Sequence, residues 1–529
     1  MKRKIKFNLT DVAVLIAFSV LTMIGAFEHE MWFDEAEAWV IARDNSFRSL
    51  GTVLRSEGHP FLWYMVLKIF SAANFPADIV PFISWFFTAL TAAFILLRSP
   101  FKRVLNYLII FSSGFLYFNS VISRVYCLIP LILVMIADVY PARKEHPVYY
   151  GFLVALLTNT HICICGIVAV LGINMLVELI KDWKMNSLKE RICTLTGLGV
   201  AASGVMILLF TLAGSMSTNA EITSSDSSGM ADRLSGVFLA LYDVPVQMTL
   251  FSDAGFLPVL VCMLYMFCFL LIMFLSRHNR VAFYVLLLFN LCYVIICGVI
   301  WYTIPNRAAI VYFVFVFVLW IAAEDACLPV FKSPKIHIIA DTHIIRAVIN
   351  KILILDSEPV KNVEKILCVL FALTVPVGLI NLLNDCRNDF AFEKSAAEYI
   401  TENYSSDTTV IVTTSDSWPQ LTCYMPEFRF YAAYIGKEYT YHNHEISYDD
   451  IANKSMYDEA AAQEYLEQWD NVIFVDANRF DEYAASRWID SAPGKVVYSG
   501  IGSADYATKS TNIMVCEMTM TDFIEYAGR

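Results

Sequence analysis

The sequence predicts a polytopic α-helical membrane protein of about eleven transmembrane helices with a C-terminal extracytoplasmic α/β domain, and three features of its 529 residues predict it. Long apolar runs recur down the chain, basic residues gather in alternate connecting loops, and acidic residues gather after residue 383.

The chain is 57% hydrophobic with a mean hydropathy of +0.56, and its apolar residues form blocks long enough to span a bilayer. These blocks fall near residues 12–27, 80–97, 104–118, 125–140, 148–160, 162–180, 194–213, 255–275, 281–300, 308–323 and 366–383. The first follows a basic start, as a signal peptide does. No small-residue cleavage site precedes the polar stretch from Glu28, however, and the same kind of run recurs, so we read it as a span.

The net charge of -12 is unevenly shared. Residues 384–529 hold 25 Asp/Glu against 10 Lys/Arg, which leaves the membrane part close to +3. No basic patch exists on which a nucleic-acid role could rest. Ten of the 13 cysteines precede residue 384, mostly inside apolar runs, where they act as small buried hydrophobes. Cys386, Cys423 and Cys516 are an odd set without metal-ligand spacing, so no disulfide framework or CxxC site is implied.

With the amino terminus in the cytoplasm, the inside loops carry 21 Lys/Arg. The outside loops carry seven, namely Arg43, Arg48, Arg55, Lys68, Arg124, Arg233 and Arg307. The positive-inside rule then fixes the orientation. The apolar stretch 60–75 is kept as a helix lying in the outer interface, with Trp63, Tyr64 and Lys68 at headgroup level, because a crossing there would invert every later loop. Two domains follow: 1–383 in the membrane, with its first outside loop at 28–79 as the site-bearing segment, and an acidic domain at 384–529. In the second, helical stretches at 392–404 and 457–469 alternate with strand-like runs at 409–413, 471–475, 495–498 and 512–516.

Residues able to do chemistry cluster at outside ends of spans. Asp34 and Glu35 lie in the acidic cluster of the first outside loop, which suits either a general base or a solvated interfacial turn. Adjacent helical residues diverge by about 100°, so the two carboxylates should not share one task. His59, in Gly58-His59-Pro60, returns an imidazole to the membrane surface, either to orient substrate or as a structural residue. Arg124 and Arg307 are fixed cations at the outer interface, suited to a lipid phosphate or to snorkelling toward headgroups. Tyr126, Asn159 and His161 reach the same face as substrate-cavity candidates or as packing residues. The Ser-rich outside segment 214–236 is a lid or a connector.

With those residues in place, the chain resembles the integral membrane glycosyltransferases of the type C (GT-C) fold, near the family 39 protein mannosyltransferases and the bacterial aminoarabinose transferases. The resemblance runs in order through Asp34-Glu35, His59-Pro60 before a juxtamembrane helix, Arg124-Val-Tyr126, Thr160-His161 and an outside tail domain. It covers the first 165 residues closely and the remainder by architecture. It implies that Asp34 is the catalytic base, with Glu35 and His59 beside it, and that Arg124 and Arg307 hold a donor phosphate. The implied donor is a polyprenyl-phosphate sugar, and the acceptor a hydroxyl on a protein, lipid or glycan at the extracytoplasmic face. Many relatives carry a Glu two residues before the arginine, where Ile122 stands here, so the resemblance implies no required cofactor and a divalent cation lacks support. Two rival functions stay in view: a transporter or flippase for a lipid-linked sugar, which wants ionisable groups at the bilayer midplane, and a non-catalytic polyprenyl-lipid-binding relative.

Overall fold

A computed structural model describes residues 8–212, 230–250, 255–277, 279–300, 303–325, 359–388, 392–413, 418–432, 436–441, 458–478, 489–490, 492, 494–500, 512–519 and 521–522. The first helix, α1 (Leu9–Glu28), starts at Asn8, whose side chain accepts from the Thr10 amide. It is followed by three short helices, α2 (Phe33–Asp44), α3 (Phe47–Glu57) and α4 (Leu62–Ala72). Then come α5 (Ile79–Arg98), α6 (Arg103–Ile110), α7 (Leu128–Val139), α8 (Pro147–Thr158), α9 (Cys165–Asp182) and α10 (Leu188–Leu212). After α11 (Met230–Gln247), a helix not anticipated from sequence, come α12 (Leu257–Ser276), α13 (Arg280–Ile295), α14 (Pro305–Asp325) and α15 (Pro359–Asp385).

Among the described residues nine helical segments are long and apolar enough to cross a membrane, and each coincides with a run expected from sequence. The other two expected runs are shorter as helices. The run at 104–118 divides into α6 and a π turn, Gly114–Phe118, while that at 148–160 yields the 12-residue α8. The helix α14 is the centre of the bundle, with most of its length buried; α1 and α10 lie at the periphery and present side chains such as Ile16, Val20 and Leu209 outward, as lipid-facing surfaces do. Small residues let α8 and α10 touch backbone to backbone: a Cβ on Gly151 would come within 2.0 Å of the Gly197 carbonyl oxygen. A Gly151→Leu protein is therefore expected to lose its monodisperse peak in detergent size-exclusion chromatography, because the atom it meets is backbone and cannot turn aside.

Ion pairs mark the two ends of the bundle. At one end Arg98 pairs with Asp138 at 2.8 Å and Arg143 with Glu178 at 2.6 Å, so the carboxylates that fall within expected spans are neutralised there. At the other end stand α2, α3, α4 and the 119–124 turn. The helix expected at the interface exists as α4, and its Trp63, Tyr64 and Lys68 are buried against protein. Lys68 donates to the Arg43 carbonyl at 3.3 Å and Tyr64 to Glu57 at 2.8 Å, so packing against α2 and α3 claims the face that sequence alone assigned to lipid.

The C-terminal part is a three-layer α/β unit. Its helices are α16 (Glu393–Asn403), α17 (Trp418–Tyr424) and α18 (Glu459–Leu466). Its strands are β1 (Thr409–Thr413), β2 (Arg429–Ala432), β3 (Lys437–Glu438), β4 (Asn471–Asn478), β5 (Lys495–Gly500) and β6 (Asn512–Glu517). They form a mixed sheet in the order β3-β2-β1-β4-β6-β5, with β1 parallel to both β2 and β4. Alternate strand residues serve opposite faces. Ile411, Ile473 and Val515 pack with Ala396, Ile400 and Leu421, whereas Val410, Phe474 and Met514 pack with Ala462 and Leu466. The four expected strands are all present; β2, β3 and α17 were not anticipated. Residues 214–229 of the Ser-rich segment lie outside the described residues.

Candidate active site

Six of the eight residues singled out in the sequence come together at the α2 end of the bundle, and their local geometry follows from short stretches of chain. The first turn of α2 carries Asp34 and Glu35, where the helix dipole favours negative charge. Their 100° divergence sends them to opposite environments. Asp34 remains about a third exposed and pairs with the Arg124 Nη1. Glu35 is fully buried. One of its oxygens accepts from the Trp32 amide at 3.1 Å and faces His29 Nε2 at 3.1 Å; the other accepts from the Ser123 amide. Glu35 is thus held inside the protein with both oxygens engaged.

Gly58 ends α3 at φ 82°, the left-handed region in which a Cβ is costly, and so turns the chain to bring His59 back over α2. The Arg124 Nη2 lies 3.3 Å from His59 Nε2. A guanidinium only donates, so Nε2 accepts and the imidazole proton sits on Nδ1, 3.2 Å from Glu57 Oε1. Arg124 leaves an irregular turn whose Asn119 carbonyl is held by the hydroxyls of Ser84 at 3.2 Å and Thr88 at 2.7 Å. Its guanidinium also lies 5.7 Å from the Trp32 ring centroid. Burial works against the charge of Arg124, and Asp34 more than offsets it, raising the guanidinium above its ordinary value.

Behind this pair stand Tyr126, His161 and Arg307. The Tyr126 hydroxyl is 3.4 Å from His161 Nε2, with the two rings 5.3 Å apart, and Arg307 is within hydrogen-bonding reach of the same hydroxyl. Burial, together with the facing guanidiniums of Arg307 and Arg124, holds His161 well below the usual imidazole range. His161 is neutral as a result, and its Nδ1 accepts from the Cys163 amide at 3.2 Å. Asn159 serves structure: its side-chain amide donates to the Ala155 and Gly204 carbonyls, each at 3.0 Å, and its backbone carbonyl accepts from the Leu62 amide at 3.1 Å, which ties α4 to α8 and α10.

Sequence reasoning missed His29 and Asp385. His29 caps the end of α1, and its Nδ1 meets Asp385 Oδ2 at 2.9 Å, an oxygen that also accepts from the Tyr117 hydroxyl at 2.8 Å. A histidine and an aspartate at two span ends 356 residues apart carry no local pattern that links them. The C-terminal part also bears on α2. The Tyr424 hydroxyl accepts from the Met31 amide at 3.1 Å, the Thr422 carbonyl from Arg43 at 2.8 Å, and Cys423 donates to the Ala36 carbonyl at 3.5 Å. A cavity of about 280 Å³ opens beside this contact, with an apolar wall of Met23, Phe27, Phe82 and Trp85. Among the described residues no group of three or more His, Cys, Asp or Glu is arranged to hold a metal ion.

No protein-family model matches the sequence, and neither does any curated protein. Solved structures do align with it. The crystal structure of ArnT from Cupriavidus metallidurans bound to undecaprenyl phosphate aligns over 95% of this chain and 97% of that one, with a TM-score of 0.48 and 11% identity. The same protein in the apo state aligns over the same shares, with a TM-score of 0.47 and 11% identity. The roles of Asp34, Arg124 and their neighbours rest on the geometry of this chain.

Proposed function

We propose that this chain is a membrane glycosyltransferase that moves a sugar from a polyprenyl-phosphate donor to an acceptor hydroxyl at the extracytoplasmic face. The observation that carries the reading is the pairing of one partly exposed carboxylate, Asp34, with a buried guanidinium, Arg124, at the rim of the bundle. A second cation, Arg307, stands behind Tyr126. Transfer from a phosphate-linked sugar needs little else: a base for the incoming hydroxyl and fixed positive charge for the departing phosphate.

In this scheme the donor phosphate takes hydrogen bonds from Arg124, which partly releases Asp34 from its ion pair. Asp34 then accepts the acceptor's hydroxyl proton as that oxygen bonds to the sugar C1. The C1–O bond to phosphate breaks, and the configuration at C1 inverts. The polyprenyl phosphate leaves carrying its own negative charge, so no general acid is called for. His59 Nε2, freed when Arg124 turns, can accept from the lipid-bound sugar, and Glu35 acts from inside as a positioning group. The reading requires no cofactor. Arg98 and Arg143 neutralise Asp138 and Glu178 at the far end, which removes the charges a transport path along the spans would have used.

The extracytoplasmic placement has a native reporter. Cys386 is exposed and directly follows α15, at the same end of the bundle as Asp34. A membrane-impermeant maleimide added to intact cells is expected to label Cys386, with a Cys386→Ser protein as control. Labelling of Cys386 only after the membrane is opened would place the site on the cytoplasmic face and remove the proposed donor side. Incubation of purified protein with a radiolabelled polyprenyl-phosphate sugar tests the activity itself: release of free polyprenyl phosphate is expected, and an intact donor after prolonged incubation with acceptor extract counts against it.

A further inference from the structure

Five groups from separate segments form one buried chain of contacts. The Tyr117 hydroxyl donates to Asp385 at 2.8 Å, Asp385 meets His29 Nδ1 at 2.9 Å, His29 Nε2 meets Glu35 at 3.1 Å, and Glu35 accepts from the Ser123 amide. The His29 and Asp385 side chains have no solvent exposure, nor has Glu35. One imidazolium between two carboxylates leaves one surplus negative charge, and the Tyr117 hydroxyl with the Trp32 and Ser123 amides supplies the donors that offset it. At one end Glu35 holds the amide of Ser123, the residue immediately before Arg124. Toward the other end Asp385, which accepts from Tyr117, is the last residue of α15, after which the C-terminal part begins.

We infer that Asp385 and His29 are positioning residues for the phosphate anchor: the root of the C-terminal domain, acting through the His29 bridge and Glu35, sets where the Arg124 guanidinium stands relative to Asp34. The inference rests on the proposed role of Arg124 in holding phosphate, and it gives the C-terminal domain a task. Thr422 and Cys423 hold α2 itself, at Arg43 and Ala36, and Tyr424 holds Met31 just before it. The acidic first turn of α2 is thereby clamped between the last span and the domain that follows it.

The bridge has a pH signature. Burial works against the imidazolium, but Glu35 and Asp385 together push His29 up to about 10. Titratable groups face it from every side: Glu35 from α2, Asp385 from α15, Tyr117 from the π turn, and Glu28 and Glu30 along its own segment. Asp78, Lys394 and Tyr424 line the cavity that His29 also borders. A histidine raised on folding stabilises the folded state in full below the ordinary imidazole value of about 6.5, and that contribution falls away as pH rises toward its folded value.

The test compares the purified full chain with Asp385→Asn, which keeps an oxygen for both partners and removes the charge. Two quantities are measured: Tm between pH 6 and pH 10.5, and the Kd for a C55 polyprenyl monophosphate at pH 6.5 and pH 9. For the natural chain Tm is expected to decline from about pH 6.5 to about pH 10, with Kd unchanged between the two pH values. For Asp385→Asn the decline should end at least one pH unit lower, and Kd should stay near the natural value at pH 6.5 but weaken about tenfold at pH 9, as His29 loses its proton and Arg124 its place. Superimposable pH curves for the two proteins overturn the inference, as does an equal loss of binding at both pH values, which marks Asp385 as merely structural. If the natural chain fails to bind the lipid at all, the phosphate anchor is refuted and the inference with it; the Tm curves then report the His29 bridge by itself.

Discussion

An Asp34→Asn protein is expected to bind a polyprenyl-phosphate sugar and to transfer it roughly 10²- to 10⁴-fold more slowly, the usual contribution of a positioned general base. The substitution is nearly isosteric, and the amide oxygen can still accept from Arg124, so the rim of the site keeps its shape. What it removes is the capacity to take a proton at the moment the acceptor oxygen attacks. Asp34 is the group for this because it is the one carboxylate of the cluster with both solvent access and a cation beside it, whereas Glu35 is sealed among His29 and two backbone amides. Lipid binding should hold or tighten slightly, since an anion that competes for Arg124 has been neutralised. Single-turnover transfer with purified donor separates the two quantities. Near-natural rates in the Asn protein would remove the base from the scheme.

Replacement of Arg124 by Lys is expected to act on the other quantity, raising the donor Kd by about tenfold to a hundredfold, the span of one or two lost charge-assisted hydrogen bonds. The guanidinium reaches Asp34 with one nitrogen and His59 with another while lying over Trp32. An ammonium keeps the charge but cannot serve those directions in one plane. The rate at saturating donor should change far less than the affinity, because Asp34 stays in place and Arg307 still stands nearby. Affinity and saturated rate can be read from one donor titration. A lysine protein with natural affinity but a collapsed saturated rate would give Arg124 a part in the chemical step and not in holding the donor.

Much of this protein was legible in one dimension because each signal was local. Among the described residues nine of the expected spans appear as helices long enough to cross, since a helix crossing a bilayer demands a continuous apolar run. Four strands of the C-terminal part were equally visible, being short apolar runs between turn residues, whereas the short β2 and β3 were not. The interface helix shows where such reasoning stops. An apolar stretch with Trp63, Tyr64 and Lys68 reads the same whether lipid or protein covers it, and only the presence of α2 and α3 decided for protein.

The site divides along the same line. Sequence alone placed Asp34, His59 and Arg124 at span ends on one side, because charge in a membrane chain is sparse and its position is informative. It also separated the tasks of Asp34 and Glu35 through the turn of the helix. Tertiary structure alone decided which carboxylate faces outward, that Asn159 is spent on helix carbonyls, and that His29 and Asp385 meet beneath Glu35. The reason is physical: spacing along a chain fixes direction within one helix, while the burial and partners of a charge depend on the neighbours packed against it, and here those neighbours come from opposite ends of the sequence.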